Sequence, residues 1–500
     1  MSARRATHVV VLAAGLGKRM RSATIKVLHP VAGRPMIART LAAVAPLRPE
    51  TIVMVLGNQA AAVRAVVEAE AARLGLARTR LVFALQARQL GTGHALLRAE
   101  PLLRGARGDL VILAGDVPAI EARTLRRLLR HHRAARAAAT VLTAELPDPT
   151  GYGRILRGPG AERREVLRIV EHRDADATER RIAEINTGIY AVEVERIWDA
   201  VRGGKQHNAQ KEYYLTDAVA GLRARGRRVL ALKHDDPDEV MGVNDRAELA
   251  RVGRWMVRRT LVRLMASGVT VLDPERTDVE PGVRVGRDTV LHPGVTLQGE
   301  TRIGRRCVLH PGVRVHDSIV GDDCVLLDHS LVQGSRVGAG SRIGPMANLR
   351  PGTDVEGEVH LGNFVETKKT RIGKGSKANH LSYLGDAVIG RKVNVGAGTI
   401  TCNYDGAHKH PTVIDDGVFI GSDSQLVAPV KIGRGAYVGA GTTVVQDVPP
   451  GALAISRTRQ TNKPGWADAM RRDRELRASR ASRAPAPAAP RSGRARRGRR

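Results

Sequence analysis

VRVGRDTVLHPGVTLQGETRIGRRCVLHPGVRV, Val283 to Val315, carries an aliphatic residue followed by glycine at Val285-Gly286 and again at Ile303-Gly304. The same pair recurs at Val320-Gly321, Val337-Gly338, Ile343-Gly344, Leu361-Gly362, Ile372-Gly373, Ile389-Gly390, Val395-Gly396, Ile420-Gly421, Ile432-Gly433 and Val438-Gly439. Many intervals are 6, 12 or 18 residues, and some slip to 17. A unit of six with three units per coil describes a parallel β-helix, each coil stacking its short strands on the one before. Aliphatic side chains fill the narrow interior, and glycine permits the corners. The interval of 25 between Val395 and Ile420 breaks the rule. It predicts that TITCNYDGAHKH, residues 399–410, projects from the coil, and an inserted loop on a rigid solenoid is a candidate functional element.

Before the repeat, up to about Arg246, short apolar runs (HVVVLAA, ETIVMVLG, RLVFAL, DLVILAGD) alternate with helical patterns such as EARTLRRLLRHHRAARAA. This is the mark of an α/β domain with a mainly parallel, Rossmann-like sheet and helices on its faces. Ligands in such sheets sit beyond the carboxyl ends of the strands, where the glycine-rich loop after Val11 and the Asp116 turn both fall. From Asn244 to Ala266 a proline-free segment places Leu249, Val252, Met256 and Leu261 near helical spacing, predicting one connecting helix of roughly 35 Å. The expected organisation is a nucleotide-binding domain over 1–246, a helical linker over 247–267, a β-helix over 268–466 and a disordered arginine-rich tail over 467–500.

A chain of 500 residues exceeds one ordinary core, as this division requires. No run of eighteen apolar residues and no secretory leader pattern is present, so a soluble, cytoplasmic protein with no membrane partner is expected. Cys307, Cys324 and Cys402 lack metal-ligand spacing and are read as reduced. The net charge of +31 raises nucleic acid as a partner, but the tail alone contributes +9 and the remainder is a chain-wide preference for arginine, 68 against 13 lysines. A solvated basic surface explains it better than nucleic-acid binding. Against that preference, each lysine marks a place that calls for a compact ammonium; seven of the thirteen fall between Lys368 and Lys431.

VVVLAAGLGKRMRSATIKVLH, Val9 to His29, has the look of a phosphate loop. A dinucleotide fold would put a third glycine where Met20 stands, and a Walker loop would follow Lys18 with Ser or Thr, where Arg19 stands. What remains is a glycine turn offering backbone N–H groups from Gly15 to Gly17 beside Lys18, Arg19 and Lys26, the combination a triphosphate requires. Asp116 alone reads as a helix cap; beside a phosphate loop it reads as a magnesium ligand, because magnesium takes one or two carboxylates plus substrate phosphates.

VVVLAAGLGKRM, QLGTGHA (89–95), LAGDVP (113–118), DPTGYGRI (148–155), IVEHRDA (169–175), EINTGIY (184–190) and GVNDR (242–246) together resemble the sugar-nucleotide pyrophosphorylases. The resemblance is closest to the N-acetylglucosamine-1-phosphate uridylyltransferase domain of a bifunctional bacterial family. It implies that Leu12, Ala13, Ala14 and Gly15, with Gln86, Gly91 and Thr92, hold the uridine part, joined by Ala114 and Gly115. Arg19 and Lys26 would bind phosphates and serve catalysis, Asp116 and Asn244 would coordinate Mg2+, and Gly153, Glu171 and Asn186 would hold the N-acetyl sugar. The implied chemistry is in-line attack of a sugar 1-phosphate oxygen on the α-phosphorus of UTP, catalysed by positioning and charge neutralisation. Two positions depart from the family: Lys18 replaces threonine, and Ile25 replaces proline, which would loosen the loop that delivers Lys26.

Residues 349–410 concentrate Arg350, Lys368, Lys369, Lys374, Lys377, His380, Tyr383, Lys392, Asn394 and Lys409 on a scaffold otherwise built of Val, Ile and Gly. A solenoid has no structural need for them, whereas a pocket for a phosphorylated sugar does. His380 is the candidate general base, because histidine takes up protons near neutrality. This segment resembles the glucosamine-1-phosphate acetyltransferase domain of the same bifunctional family. That implies a left-handed β-helix, a homotrimer with acetyl sites between subunits, His380 as base, and Arg350, Lys368, Tyr383, Asn394 and Lys409 on the sugar phosphate. Ala397, Asn403, Tyr404, Ser422, Ala440 and Arg457 would contact acetyl-CoA. Cys402 has no neighbouring base in sequence and is not read as a nucleophile. The implied sequence of reactions is acetylation of glucosamine 1-phosphate by acetyl-CoA, then uridylyl transfer from UTP to N-acetylglucosamine 1-phosphate. Its product would feed cell-wall and envelope glycan synthesis. Two other readings stand beside it: a pyrophosphorylase whose β-helix only assembles it, and a non-catalytic regulatory scaffold, which would lack Asp116, Arg19 and Lys26.

Overall fold

Three of the apolar runs of the first domain form strands buried on both faces, as parallel strands covered by helices must be, and the fourth, RLVFAL, lies at the sheet edge and is only partly buried. The computed structural model describes residues 5–483 except 159–164, 205, 207 and 458. Val9, Val10 and Val11 on strand Thr7–Ala13 are all fully buried, so successive side chains enter the cores on opposite sides of the sheet. The strand order is Val229–His234, Ala139–Glu145, Glu184–Glu193, Asp109–Ala114, Thr7–Ala13, Thr51–Leu56, Arg80–Leu85. Only Glu184–Glu193 runs antiparallel to both neighbours on this path. From Thr7–Ala13 the chain first builds outward through Thr51–Leu56 and Arg80–Leu85, then returns to Asp109–Ala114 on the other side. The reversal opens a crevice between the carboxyl ends Ala13 and Ala114, where a doubly wound sheet binds its ligand.

Helix Arg246–Ala266, about 31 Å long, joins the two architectures. The Asp245 side chain caps it by accepting from Glu248 N at 2.9 Å, and Glu248 Oε2 in return accepts from Asn244 N at 2.6 Å. Val252 and Met256 pack with Val31, Met36 and Val243 of the first domain, while Val257, Leu261 and Leu264 enter the core of the second. Close approach continues beside it: a Cβ on Gly33 would lie 2.2 Å from the Glu280 carboxylate, and Arg34 pairs with Glu300 at 2.6 Å.

Among the described residues the repeat region forms three parallel sheets of eleven, ten and nine strands, each strand bonded to its counterpart one coil on. These are called here the first, second and third faces, beginning with Thr270–Val271, Asp278–Val279 and Arg284–Val285 respectively. Val285 pairs with Ile303, Ile303 with Val320 and Val320 with Val337 on the third face, while Ile343, Leu361, Val395, Ile420 and Val438 lie on the first, so the repeated apolar-glycine pairs stack as two walls. Cys307 and Cys324 are buried in the interior and free.

Two expectations change. Only part of residues 399–410 projects: Ile400–Cys402 stays in the second face, pairing with Gln425–Val427, and the excursion is Asn403–His410. It closes on itself through His410 N to Asn403 O at 2.8 Å, while Asp405 accepts from Ala407 N at 2.7 Å and His408 N at 2.6 Å. Hydroxyl-bearing Thr401 could stay in the wall because its Oγ1 accepts from Gly385 N at 2.8 Å. The start of the tail is also not disordered: Trp466–Arg483 is a helix. Arginine, alanine, glutamate and leucine are strong helix formers, and Arg477–Asp473 at 2.8 Å adds a pair at helical spacing. Residues 484–500 of the expected disordered tail lie outside the described residues. Trp466 and Leu476, both 59 % exposed, show that this helix buries no apolar face. Deleting residues 467–500 is therefore expected to move the melting midpoint by less than about 2 °C and to leave both transferase assays unchanged. Among the described residues no helix is long and apolar enough to cross a membrane.

Candidate active sites

The glycine-rich loop leaves the sheet at Ala13 and turns at Gly17, whose φ is 62°. A Cβ at Gly17 would lie 2.6 Å from Cβ of Lys26, so glycine here lets the two limbs of the loop close on each other. Gly57 does the same from the next strand: its Cβ would meet Ala14 O at 2.5 Å. The closure carries Lys26 inward. Its Nζ pairs with Asp116 Oδ2 and lies 3.3 Å from Asn244 Oδ1. Asn244 is brought there by two backbone anchors, Val243 N to Asp116 O at 2.9 Å and the Glu248 carboxylate on its own N–H. Residues 26, 116 and 244, far apart in sequence, thus share one cluster.

Ile25 does not loosen this loop. Its φ is −61°, within proline's fixed range; its side chain is buried; and its N–H donates to Gln59 Oε1 at 3.3 Å. Gln59 also donates to Ala23 O at 2.8 Å, so it holds the loop from the neighbouring strand's end. Ile25→Pro is expected to keep the loop's course but lose the Gln59 bond and buried side-chain contacts, destabilising the domain by about 1–2 kcal/mol in denaturant melts. Lys18 and Arg19 are exposed on the turn Lys18–Met20. Arg19 acts through space on the hydroxyl of Tyr152, which burial, with the Glu248 and Asp116 carboxylates, pushes up to about 12.

The expected uridine residues line the carboxyl edge. Gln86, buried just past Arg80–Leu85, has Nε2 3.1 Å from Gly91 O and 2.9 Å from His94 Nδ1. Gly91 sits at φ 103°, where a Cβ would lie 2.5 Å from Tyr213 O, and Thr92 Oγ1 accepts from Leu215 N at 3.0 Å. Leu12 to Gly15 and Ala114 to Asp116 face each other across the crevice, tied by Gly115 N to Leu12 O at 2.9 Å.

Gly153, Glu171 and Asn186 also meet. Asn186 N donates to Gly153 O at 2.9 Å, and a Cβ on Gly153 would lie 3.4 Å from Glu171 Oε2, so glycine keeps that carboxylate open. Burial holds the Glu171 carboxyl above the usual range against the Thr216 hydroxyl, which donates to Oε1 at 3.3 Å; Asp174, Asp217 and Glu212 add to the rise. Thr216 and Gln59 carry no local motif and sequence inspection passes over them, whereas Glu248, three residues after Asp245, completes a capping-box pattern that could have been found.

On the β-helix, His380 ends strand Lys377–His380 at the corner between the first and second faces. Its Nδ1 lies 2.8 Å from Oδ1 of Asn363, its partner one coil below. Tyr383 follows on the second face; its hydroxyl extends over Gly385, where a Cβ would lie 2.5 Å from the oxygen. At the far edge of that face the Lys368 and Lys409 ammonium groups sit side by side near Arg350, and this like charge holds Lys368 below the usual lysine range. Arg350 pairs with Glu366 at 2.7 Å. Asn403 donates from Nδ2 to Asp386 at 2.5 Å, and exposed Tyr404 pairs with Lys409 across the inserted loop.

Asn394 does not join them. It starts a strand of the first face, in register with Lys377, one strand's length from the His380 corner. Above it in the same column stand Phe419, Tyr437 and Leu453. Four of the six expected acetyl-CoA residues form a ladder at one corner of successive coils, with Asn403 and Tyr404 on the inserted loop instead: Asp423 N bonds to Ala397 O at 2.7 Å, Gly441 N to Ser422 O at 2.8 Å, and Arg457 Nε to Ala440 O at 3.1 Å. Burial raises the Cys402 thiol, which opposes nucleophilic use.

Comparison with known proteins places this geometry. Residues 9–187 match the MobA-like NTP transferase domain, and residues 411–446 match the bacterial transferase hexapeptide (six repeats). The chain is 49% identical over 93% of its length to the bifunctional protein GlmU of Pelobacter propionicus, of which it covers 98%. The chain belongs to the bifunctional GlmU family. GlmU proteins of Trichlorobacter lovleyi, at 50% identity over 91% of this chain and 97% of the relative, and of Brevibacillus brevis, at 48% over 93% and 98%, are similar. The first domain is a nucleotidyltransferase, and the three-faced coil is the left-handed β-helix of hexapeptide-repeat transferases. Family membership favours two enzymatic halves over an inert assembly domain.

Proposed function

We propose that the chain makes UDP-N-acetylglucosamine in two steps at separate sites. The β-helix transfers acetyl from acetyl-CoA to glucosamine 1-phosphate; the first domain then joins N-acetylglucosamine 1-phosphate to the uridylyl group of UTP and releases pyrophosphate. The observation that carries the second step is the convergence of Lys26, Asp116 and Asn244 at the switch point of the sheet.

Two oxygen donors, one a carboxylate, suit Mg2+ that takes its other ligands from phosphates and water. Asp116 and Asn244 would hold it, and the ion would neutralise phosphate charge as pyrophosphate leaves. The rest falls to the chain itself. Backbone N–H groups of the loop and Arg19 bind the triphosphate, Lys26 places a positive charge beside the phosphates, and Gly153, Glu171 and Asn186 hold the sugar so that its phosphate oxygen lies in line.

In the acetyl step, the ammonium groups of Lys368 and Lys409 with Arg350 form a positive patch, and a phosphate dianion relieves the repulsion among them. Asn363 accepts from Nδ1–H of His380, which leaves Nε2 free to take the proton of the attacking amine. The amine nitrogen attacks the thioester carbonyl, the carbon–sulfur bond breaks, and the departing thiolate is protonated. Asn394 stands apart from this group in one chain. Phe419, Tyr437 and Leu453 above it, 42 %, 54 % and 62 % exposed, make an apolar column suited to a neighbouring coil. This supports a homotrimer in which one subunit's Asn394 face completes another's His380 site. The charged, small-molecule substrates fit a cytoplasmic enzyme. A thiol-release assay with acetyl-CoA and glucosamine 1-phosphate, run beside a pyrophosphate assay with UTP and N-acetylglucosamine 1-phosphate, tests both halves; absence of either product refutes that half.

A further inference from the structure

A cavity of about 620 Å³ lies away from both sites, where helix Met36–Val44, the turn after Asp116 and the linker helix Arg246–Ala266 meet the first coil of the β-helix. Five arginines line it, Arg34, Arg39, Arg123, Arg259 and Arg263, with one carboxylate, Glu121; Arg34 pairs outward with Glu300 at 2.6 Å. Glu121 pairs with Arg123 at 2.7 Å and with Arg259 at 2.8 Å, and Arg259 also reaches Glu239 at 3.1 Å. Arg39 and Arg263 have no carboxylate within ion-pair distance among the described residues. Arg263 donates to Pro281 O at 3.2 Å; Arg39 donates to Val31 O at 2.6 Å and to Ala32 O. Burial and the nearby Arg34 push Arg39 down to about 10, outweighing the opposing pull of the more distant Glu280 and Glu70 carboxylates. The Trp255 ring, with the Arg259 guanidinium 4.9 Å from its centroid, walls the same space.

A largely desolvated guanidinium with no carboxylate directly paired to it is costly, and a water-sized gap would leave it so. Space of this size accepts a small metabolite, and planar guanidinium groups match phosphate oxygens in pairs. We propose that this junction cavity is a second anion site, separate from both transferase sites, that binds a phosphorylated small molecule carrying at least two negative charges. Its walls are the Pro118–Arg123 turn, two residues beyond Asp116, and the linker helix whose cap holds Asn244. An occupant therefore touches the two segments that supply the oxygen pair of the uridylyl site.

The test uses the full chain carrying Trp198→Phe and Trp466→Phe, so that Trp255 alone reports. Inorganic tripolyphosphate, added without divalent metal, is expected to change its fluorescence saturably. Arg39→Gln and Arg263→Gln should each weaken that response about tenfold, while Arg19→Gln with Lys26→Gln leaves it unchanged. Arg263 is exposed, so its variant keeps the test valid where Arg39→Gln melts early. A response lost in the Arg19 and Lys26 variant but kept in Arg263→Gln overturns the proposal, as does a response that fails to saturate below about 10 mM.

Discussion

Asp116→Ala should abolish pyrophosphate release while leaving acetyl transfer intact. Among the described residues Asp116 is the sole carboxylate that contacts Lys26, and Asn244 supplies a neutral oxygen. Without it the proposed Mg2+ site would lose its carboxylate, and Lys26 loses the partner that fixes its ammonium. Losing charge stabilisation of this kind costs about a thousandfold or more in kcat. Asp116 O still accepts from Val243 N through the backbone in the variant, so the turn and Asn244 keep their places. The fold should persist, checked by an unchanged circular dichroism spectrum and a melting midpoint lowered by a few degrees at most. Thiol release at the β-helix reports independently. If a folded Asp116→Ala protein lost both activities, the separation of the sites would be wrong.

The architecture was legible because its causes are local. Continuous apolar runs specify doubly covered strands, and the recurring apolar-glycine pair specifies coils that must stack. The loop's cations were legible too, since glycine and charge in that order serve few purposes. What stayed hidden depends on distant partners. Ile25 looked like a loss of rigidity because only the sequence neighbour was visible; the constraint comes from Gln59, on another strand's end. Asn363, which orients His380, is one 17-residue coil earlier, so the repeat interval itself would have found it. The helix Trp466–Arg483 was missed because charge and prolines beyond it dominated the composition of the tail, while its own residues are good helix formers. Asn394 was grouped with His380 by position in the motif; the coil sets them at opposite ends of neighbouring strands of one face, a separation that the local sequence does not reveal.

His380→Ala should produce the opposite split: acetyl transfer falls by roughly a hundredfold to ten-thousandfold, and pyrophosphate release is unaffected. His380 is exposed at a corner and bonds to Asn363 through the ring, so truncation removes no core volume and stability should change by less than about 1 kcal/mol. The coil's register is carried by backbone bonds such as Leu381 N to Asn363 O at 3.0 Å, which the substitution leaves in place. Asn363→Ala separates proton acceptance from mere placement. It removes the acceptor for Nδ1–H, so the imidazole samples both tautomers and orientations; the acetyl rate should drop by about tenfold, with KM for glucosamine 1-phosphate nearly unchanged. A structural role for His380 would instead show as a lowered melting midpoint and a raised KM, because the Arg350, Lys368 and Lys409 patch at the far edge of the adjoining second face would shift with it. An acetyl rate retained in folded His380→Ala would assign the base elsewhere; the inserted loop, with His408 and His410 beside Lys409, is where the search would then turn.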